Sequence, residues 1–273
     1  MSSNMIEVSN LSIVLGRKKV LNDLSFKVEE KEIFGFLGPS GAGKTTTIKI
    51  LTKQLIPNSG SCMVKAEKEK IGILSDNSGC YERLTVYRNL CFFAEISQTN
   101  KEKIEEVLKK VKLYEDRDKK VKDLSKGMRQ RLLLACAVIH SPKLLFLDEP
   151  TAALDPATTE EIHKLLLQLR EEGTTIFLTT HNMEEADELC DRVAFLNKGE
   201  IVEMGEPSEL KIKYAKDTVD ILFDDNKVVT TDKDISSIVK CLRENSKKKL
   251  KSIHSQEPNL AEIFLRLTGR DLK

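Results

Sequence analysis

The chain has 273 residues, enough for one or two domains and for a core that needs no disulfide staples. Lysine and arginine total 44 against 43 acidic residues, a net charge of +1, which argues against a protein that coats nucleic acid or an anionic membrane by bulk electrostatics. With 40% apolar and 32% charged residues, the composition is that of a soluble globular protein rather than a disordered one. No apolar run approaches the roughly 18–20 residues of a membrane helix. Residues 1–8 carry no charged-then-apolar leader. The six cysteines (62, 80, 91, 136, 190 and 241) are scattered, with neither a CxxC pair nor clustered histidines. The expectation is a cytosolic protein with reduced thiols.

No repeat of 20–50 residues is present. Residues 5–11 alternate loosely, 16–18 read as a turn and 24–28 alternate cleanly, so the chain opens with short antiparallel strands. Residues 33–37 are a buried-strand run that stops at Gly38, and 45–55 form a helix ended by Pro57 and Gly60. Residues 71–74 are a second buried strand. From about 77 to 140 the pattern turns helical: 85–96, a charged helix over 101–111 with Ile104, Val107, Leu108 and Val111 in one stripe, and a buried helix over 132–139. Strand 144–147, helix 155–172, strand 174–178 and helix 182–190 follow. Segments 192–196 and 200–204 then flank an Asn-Lys-Gly turn. Strands alternating with helices predict an α/β fold, a parallel-sheet core with an inserted helical subdomain. After Gly205 the pattern thins to a hairpin (219–223 and 227–230), a helix over 235–244 and a last helix over 259–267, read as a small α+β appendage. The lysine run 247–251 reads as a solvated loop, with a membrane-surface or nucleic-acid contact as the other reading.

Gly38, Pro39, Ser40, Gly41, Ala42, Gly43, Lys44 and Thr45 fit G-x-x-x-x-G-K-[ST]. Glycines let successive backbone N–H groups turn inward as an anion nest, Lys44 brings a point charge to the outer phosphates, and the Thr45 hydroxyl suits Mg²⁺. The helix that follows aims its positive end at the same phosphates. A chain of this length holds such a pattern by chance roughly one time in a hundred; its position between a strand and a helix is what makes it a phosphate loop. The apolar run 144–147 delivers Asp148 and Glu149 to a strand's carboxyl end, where α/β sheets bind ligands. Asp148 suits Mg²⁺, and Glu149 suits deprotonating a water for attack on the γ-phosphate. A GTPase would carry an N-K-x-D base reader; residues 197–200 end instead in Glu200 and read as a tight turn.

Between these elements, residues 124–132 (Leu-Ser-Lys-Gly-Met-Arg-Gln-Arg-Leu) resemble the signature motif of ABC ATPases, with Lys126 where glycine is commoner. Residues 153–155 resemble the D-loop, and Thr180-His181 the switch histidine. The resemblance spans roughly 5–205 and implies a P-loop NTPase core in an ABC ATPase domain 1–205, with 206–273 as an accessory domain. It further implies that ATP, with Mg²⁺, is clamped between two such modules. Ser125 and Gly127 of one module would face the γ-phosphate held by Lys44 of the other, with Thr46 also on the nucleotide and Asp155 communicating between the two sites. His181 would steady Glu149 and the water. Two positions depart from the family's pattern: Leu15 stands where an aromatic ring stacks on adenine, and Asp76 where the Q-loop glutamine approaches Mg²⁺. The tail 255–269 is similar to that of ATP-binding subunits serving ABC-2 exporters of drugs, lantibiotics and polysaccharides, which implies a separate membrane permease as partner and a place on the inner membrane face. Tyr81 and Leu84 are the candidates for permease contact. A member that acts on DNA would carry a long coiled-coil insertion, and a translation factor two modules; here 79–125 is short and one phosphate loop is present. A weakly active regulatory partner is the remaining alternative, resting on Leu15 and Asp76.

Overall fold

Apolar side chains on alternate positions make the first two strands one-sided. In β1 (Asn4–Leu15) Ile6, Val8, Leu11 and Ile13 are buried, and in β2 (Lys18–Glu29) Leu21, Leu24, Phe26 and Val28 are buried. The computed structural model describes residues 3–75 and 78–269 of the chain. β1 and β2 pair antiparallel around Gly16, with register shifts near Asn10 and Asp23, both at positive φ. They run longer than the sequence pattern suggests, because those bulges interrupt the alternation without ending the pairing. A strand the pattern does not reveal, β4 (Ser59–Val64), pairs antiparallel with β1 on its other side. Its Ser-Gly-Ser start and three consecutive apolar residues carry no period-2 signal, so only the pairing makes it a strand.

The second sheet is built from β3 (Ile33–Leu37), β5 (Ile71–Leu74), β6 (Leu144–Asp148), β7 (Thr175–Thr180), β8 (Arg192–Asn197) and β9 (Glu200–Gly205), in the order β5-β6-β7-β3-β8-β9. The first five are mutually parallel. β3, β6 and β7 are buried at every position, which is why 33–37 and 144–147 read as apolar runs; β7 adds threonines that are buried too. Lys198 and Gly199, both at positive φ, close the turn from β8 to β9; that segment is a hairpin and not a base reader.

Helix α1 (Lys44–Leu51) leaves the end of β3 and stops earlier than the sequence suggests, with Lys53 at positive φ. Between β5 and β6 lie α2 (Val86–Ile96), α3 (Glu102–Lys110) and α4 (Lys126–Val138). α4 starts six residues before the buried stretch expected from 132, because Ser125 caps it: the Ser125 hydroxyl accepts from the Met128 N–H at 3.2 Å. α5 (Pro156–Glu171) and α6 (Met183–Leu189) flank β7 in the chain.

Phe26, Phe34, Phe36, Phe146 and Phe177 join the two sheets, with Phe177 5.4 Å from Phe36 and 5.7 Å from Phe146 between ring centroids. Phe177 is fully buried. Phe177→Ala is expected to cost about 3–5 kcal/mol, read as a lowered denaturant midpoint; a loss below about 1 kcal/mol would mean the ring is not part of this core.

Residues Gly205–Asp271 form a second compact unit. It contains α7 (Pro207–Lys213), β10 (Thr218–Phe223), β11 (Val228–Asp232), α8 (Ile235–Glu244), β12 (Leu250–Ser255) and α9 (Leu260–Thr268). Its sheet runs β11-β10-β12, and Val219, Ile221 and Phe223 pack with Cys241 of α8. The lysine run divides here: Lys247–Lys249 turn, whereas Lys251 lies in β12, an edge strand whose charges discourage further pairing.

Candidate active site

The loop 38–43 turns sharply because only glycine fits where it turns. Gly43 has φ 116°, and a Cβ there would sit 2.4 Å from Leu21 Cδ2. Among the described residues no side chain caps α1 at Gly43, and the first N–H groups of a helix have no acceptor within it. The loop and helix start therefore present donors into a cleft of about 360 Å³, lined by Lys18, Val20, Pro39, Ser40, Gly41, Gly43, Lys44, Thr45, Thr46, Asp148 and Glu149. Ala42 is buried beneath it.

Lys44 is itself buried. Its ammonium donates to Gly38 O at 2.5 Å, lies 3.4 Å from Pro39 O and pairs with Glu149 Oε1 at 3.2 Å. Asp148, at the carboxyl end of β6, accepts the Thr45 hydroxyl at 2.7 Å on one oxygen and the Thr179 hydroxyl on the other. Glu149 follows with φ 51°, an unusual conformation for glutamate, held by its N–H donating to Thr179 O at 3.0 Å. Its second carboxylate oxygen meets His181 Nδ1 at 2.7 Å. One carboxylate thus bridges an ammonium on the phosphate loop and an imidazole beyond β7. The Thr45 hydroxyl and Asp148 carboxylate are hard oxygen donors, the set that suits Mg²⁺ when phosphate oxygens and water complete the shell.

Ser125, Gly127 and Asp155 do not line the cleft. Ser125 and Gly127 open α4, and Asp155 caps α5, accepting from the Thr158 N–H at 3.0 Å and its hydroxyl at 2.7 Å. Those hydrogen bonds hold the Asp155 carboxyl below the usual carboxylate range. The two motifs are neighbours all the same. A Cβ on Gly127 would come 2.9 Å from Thr158 Oγ1, and the Lys126 ammonium donates to Ala153 O at 3.1 Å. Leu15 is 42% exposed at the end of β1, in register with Lys18; it is Lys18 and Val20 that line the cleft. Asp76 lies outside the described residues.

Reasoning from sequence did not single out Thr179, Lys18, Val20, or a buried trio behind Glu149. Glu185 of α6 accepts the Thr151 hydroxyl at 2.5 Å and faces His163 Nε2 at 3.2 Å. Burial pushes the Glu185 carboxyl up, but hydrogen bonds from His163 and the threonine hydroxyls outweigh it and hold the carboxyl below its ordinary value. The only sequence signal was a histidine on the apolar stripe of α5, the residue next to Ile162.

A glycine-rich loop between a buried strand and a helix, with a threonine-bound aspartate on a parallel strand one place removed in the same sheet, defines a P-loop nucleotide triphosphatase. A family model described as "ABC transporter" matches residues 21–152. The chain is 38% identical over 266 residues to a fluoroquinolones export ATP-binding protein of Mycobacterium tuberculosis, covering 91% of this chain and 87% of that one. It is 32% identical over 310 residues to a linearmycin resistance ATP-binding protein of Bacillus subtilis, covering 98% of this chain and all of the other. Among solved structures, the ATP-binding subunit of an ABC transporter superposes with TM-score 0.70 at 25% identity, over 77% of this chain and 93% of that one. The chain belongs to the ABC transporter family, as one of its ATP-binding proteins, and is an ABC-type ATPase. Among the described residues no helix is long and apolar enough to cross a membrane.

Proposed function

We propose that this chain hydrolyses ATP on the cytoplasmic face of a membrane to drive a separate permease that exports a drug, bacteriocin or similar amphipathic compound. Support for export comes from relatives named for fluoroquinolone export and linearmycin resistance, together with the tail over 255–269. The observation that carries the chemistry is Glu149 set between Lys44 and His181.

In this reading the N–H groups of Ser40, Gly41 and residues 43–46, with the Lys44 ammonium, receive the phosphates, while the Ala42 N–H stays on Pro39 O within the loop. Thr45 and Asp148 would hold Mg²⁺, with Asp76 a further candidate; the ion would neutralise charge between the outer phosphates. Glu149 takes the proton of the attacking water, and its left-handed backbone turns the carboxylate toward the loop. His181 orients that carboxylate and donates toward the γ-phosphate. Val20, on the cleft wall, offers apolar contact to the base without stacking, and Leu15, exposed beside Lys18, would join it only where the base extends past the cleft's edge.

The second half of the site comes from another copy or a paralogue, because Ser125 and Gly127 lie away from the cleft of their own chain. The start of α4 offers a hydroxyl and backbone N–H groups to the γ-phosphate across that pair. Asp155, hydrogen-bonded to Thr158 whose side chain lies against Gly127, carries the state of one site to the other. Permease contact falls on Tyr81 and Leu84. Asn89, fully buried, grips the Tyr81 backbone through hydrogen bonds of 2.8 and 3.1 Å, and the half-exposed Tyr81 ring meets Phe92 edge-on at 4.7 Å. A preset aromatic surface of this kind suits an apolar helix end.

The test of pairing is turnover against protein concentration. Turnover per molecule is expected to rise with concentration, and Ser125→Ala with Gly127→Asp to lower it at least about tenfold, through the lost hydroxyl hydrogen bond and a carboxylate set against the phosphate. Full turnover by an isolated monomer, unchanged in that double variant, would overturn the shared site.

A further inference from the structure

Three buried polar side chains behind the active site come from three separate segments: Thr151 from the turn after Glu149, His163 from α5 and Glu185 from α6. Glu185 is 2% exposed, and Thr151 and His163 are each 9% exposed. The nucleotide cleft does not include them; they line a neighbouring cavity of about 530 Å³ that Glu149 and His181 also border. A carboxylate so deeply buried needs partners. Glu185 Oε1 takes the Thr151 hydroxyl at 2.5 Å and His163 Nε2 at 3.2 Å, while His163 Nδ1 lies 3.5 Å from Glu188 Oε2.

We propose that Glu185 and His163 are positioning residues for ATP hydrolysis, fixing the turn that carries Glu149 against the segment that carries His181. The proposal rests on the reading of Glu149 as general base. Two ties join the same two segments: Glu149 to His181 at 2.7 Å, and Thr151 to Glu185 at 2.5 Å, two and four residues further along. The Glu185 N–H donates to the Asn182 side chain at 3.2 Å, so Glu185 shares one cap with the residue next to His181. On the other side, Glu149 and Ala153 both hold positive φ, and such a turn persists only where its surroundings determine it. His163 adds a third anchor from the helix that Asp155 caps. An apolar trio would fill this space at no loss of stability; the hydrogen-bonded trio adds direction, which is what a base requires. A displacement of about 1 Å at the reacting groups costs up to about a hundredfold in rate.

Thr151→Val keeps the side chain's shape and removes its hydroxyl. In the full chain its kcat is expected to fall about tenfold, with KM for ATP within about twofold of wild type, and Thr151→Ser to restore turnover. His163→Leu, which leaves Glu185 without its imidazole, is expected to show the same split between kcat and KM. Wild-type kcat in Thr151→Val overturns the proposal. So does a fall in kcat that follows the melting temperature and is not rescued by serine, as expected of a merely structural contact. Glu149→Gln in the same assay separates the two levels. An inactive Glu149→Gln beside a fully active Thr151→Val removes only the positioning role; an active Glu149→Gln removes the assignment of the base and this proposal with it.

Discussion

Glu149→Gln is expected to lower ATP turnover at least about a hundredfold while ATP binding and ATP-dependent pairing persist. The substitution keeps the side chain's length and its place between Lys44 and His181. A glutamine fits the left-handed backbone at 149 as well as a glutamate does, and the N–H to Thr179 O survives. What is lost is basicity, because an amide does not take a proton from water near neutral pH. Removing the negative charge also frees the Lys44 ammonium for phosphate, so affinity for ATP is expected to hold or rise. Phosphate release in steady state checks the rate, and sedimentation with ATP checks pairing. Turnover at the wild-type rate would take the base role away from Glu149.

Lys44→Ala acts on the other side of the same ion pair, with a different outcome. The ammonium is buried, so its interactions are poorly screened, and charge-assisted hydrogen bonds contribute about 1.5–3 kcal/mol each. Two such bonds to phosphate oxygens amount to a loss of about a hundredfold or more in ATP affinity. The same change leaves Glu149 without its cation, adding a like-charge penalty against the incoming phosphates. Calorimetric titration with ATP is expected to show no binding at concentrations that saturate the wild type. Unchanged affinity would mean that Lys44 does not meet the phosphates. The two variants thus separate: Glu149→Gln binds without turning over, and Lys44→Ala does not bind.

Those two side chains were legible because each sits in a local pattern. The phosphate loop is read from eight consecutive residues whose backbone does the work, and Asp148 and Glu149 from a carboxylate pair ending a run of four apolar residues. The same holds for the completely buried strands and for the amphipathic α3. Elements without a local pattern were missed. β4 joins Ser-Gly-Ser to three apolar residues without alternation, α7 is a short helix of mixed charge, and β12 starts inside a lysine run. The first and last of these are strands because partners across the sheet satisfy their backbone groups.

The α/β class, the phosphate loop, the pair of carboxylates and the family are all readable along the chain: the loop and the carboxylates from contiguous residues, the class from alternating strands and helices, the family from short motifs in order. Which distant residues meet is a matter of the three-dimensional fold. Thr179 reaches Asp148 because β7 lies beside β6, and His181 reaches Glu149 across 32 residues for the same reason. It placed Lys18 and Val20, rather than Leu15, against the cleft, and it closed Thr151, His163 and Glu185 into one buried set. Strand order and helix packing set those meetings, and no spacing along the chain records them, because a hydrogen bond depends on distance in space and sequence separation leaves that distance free.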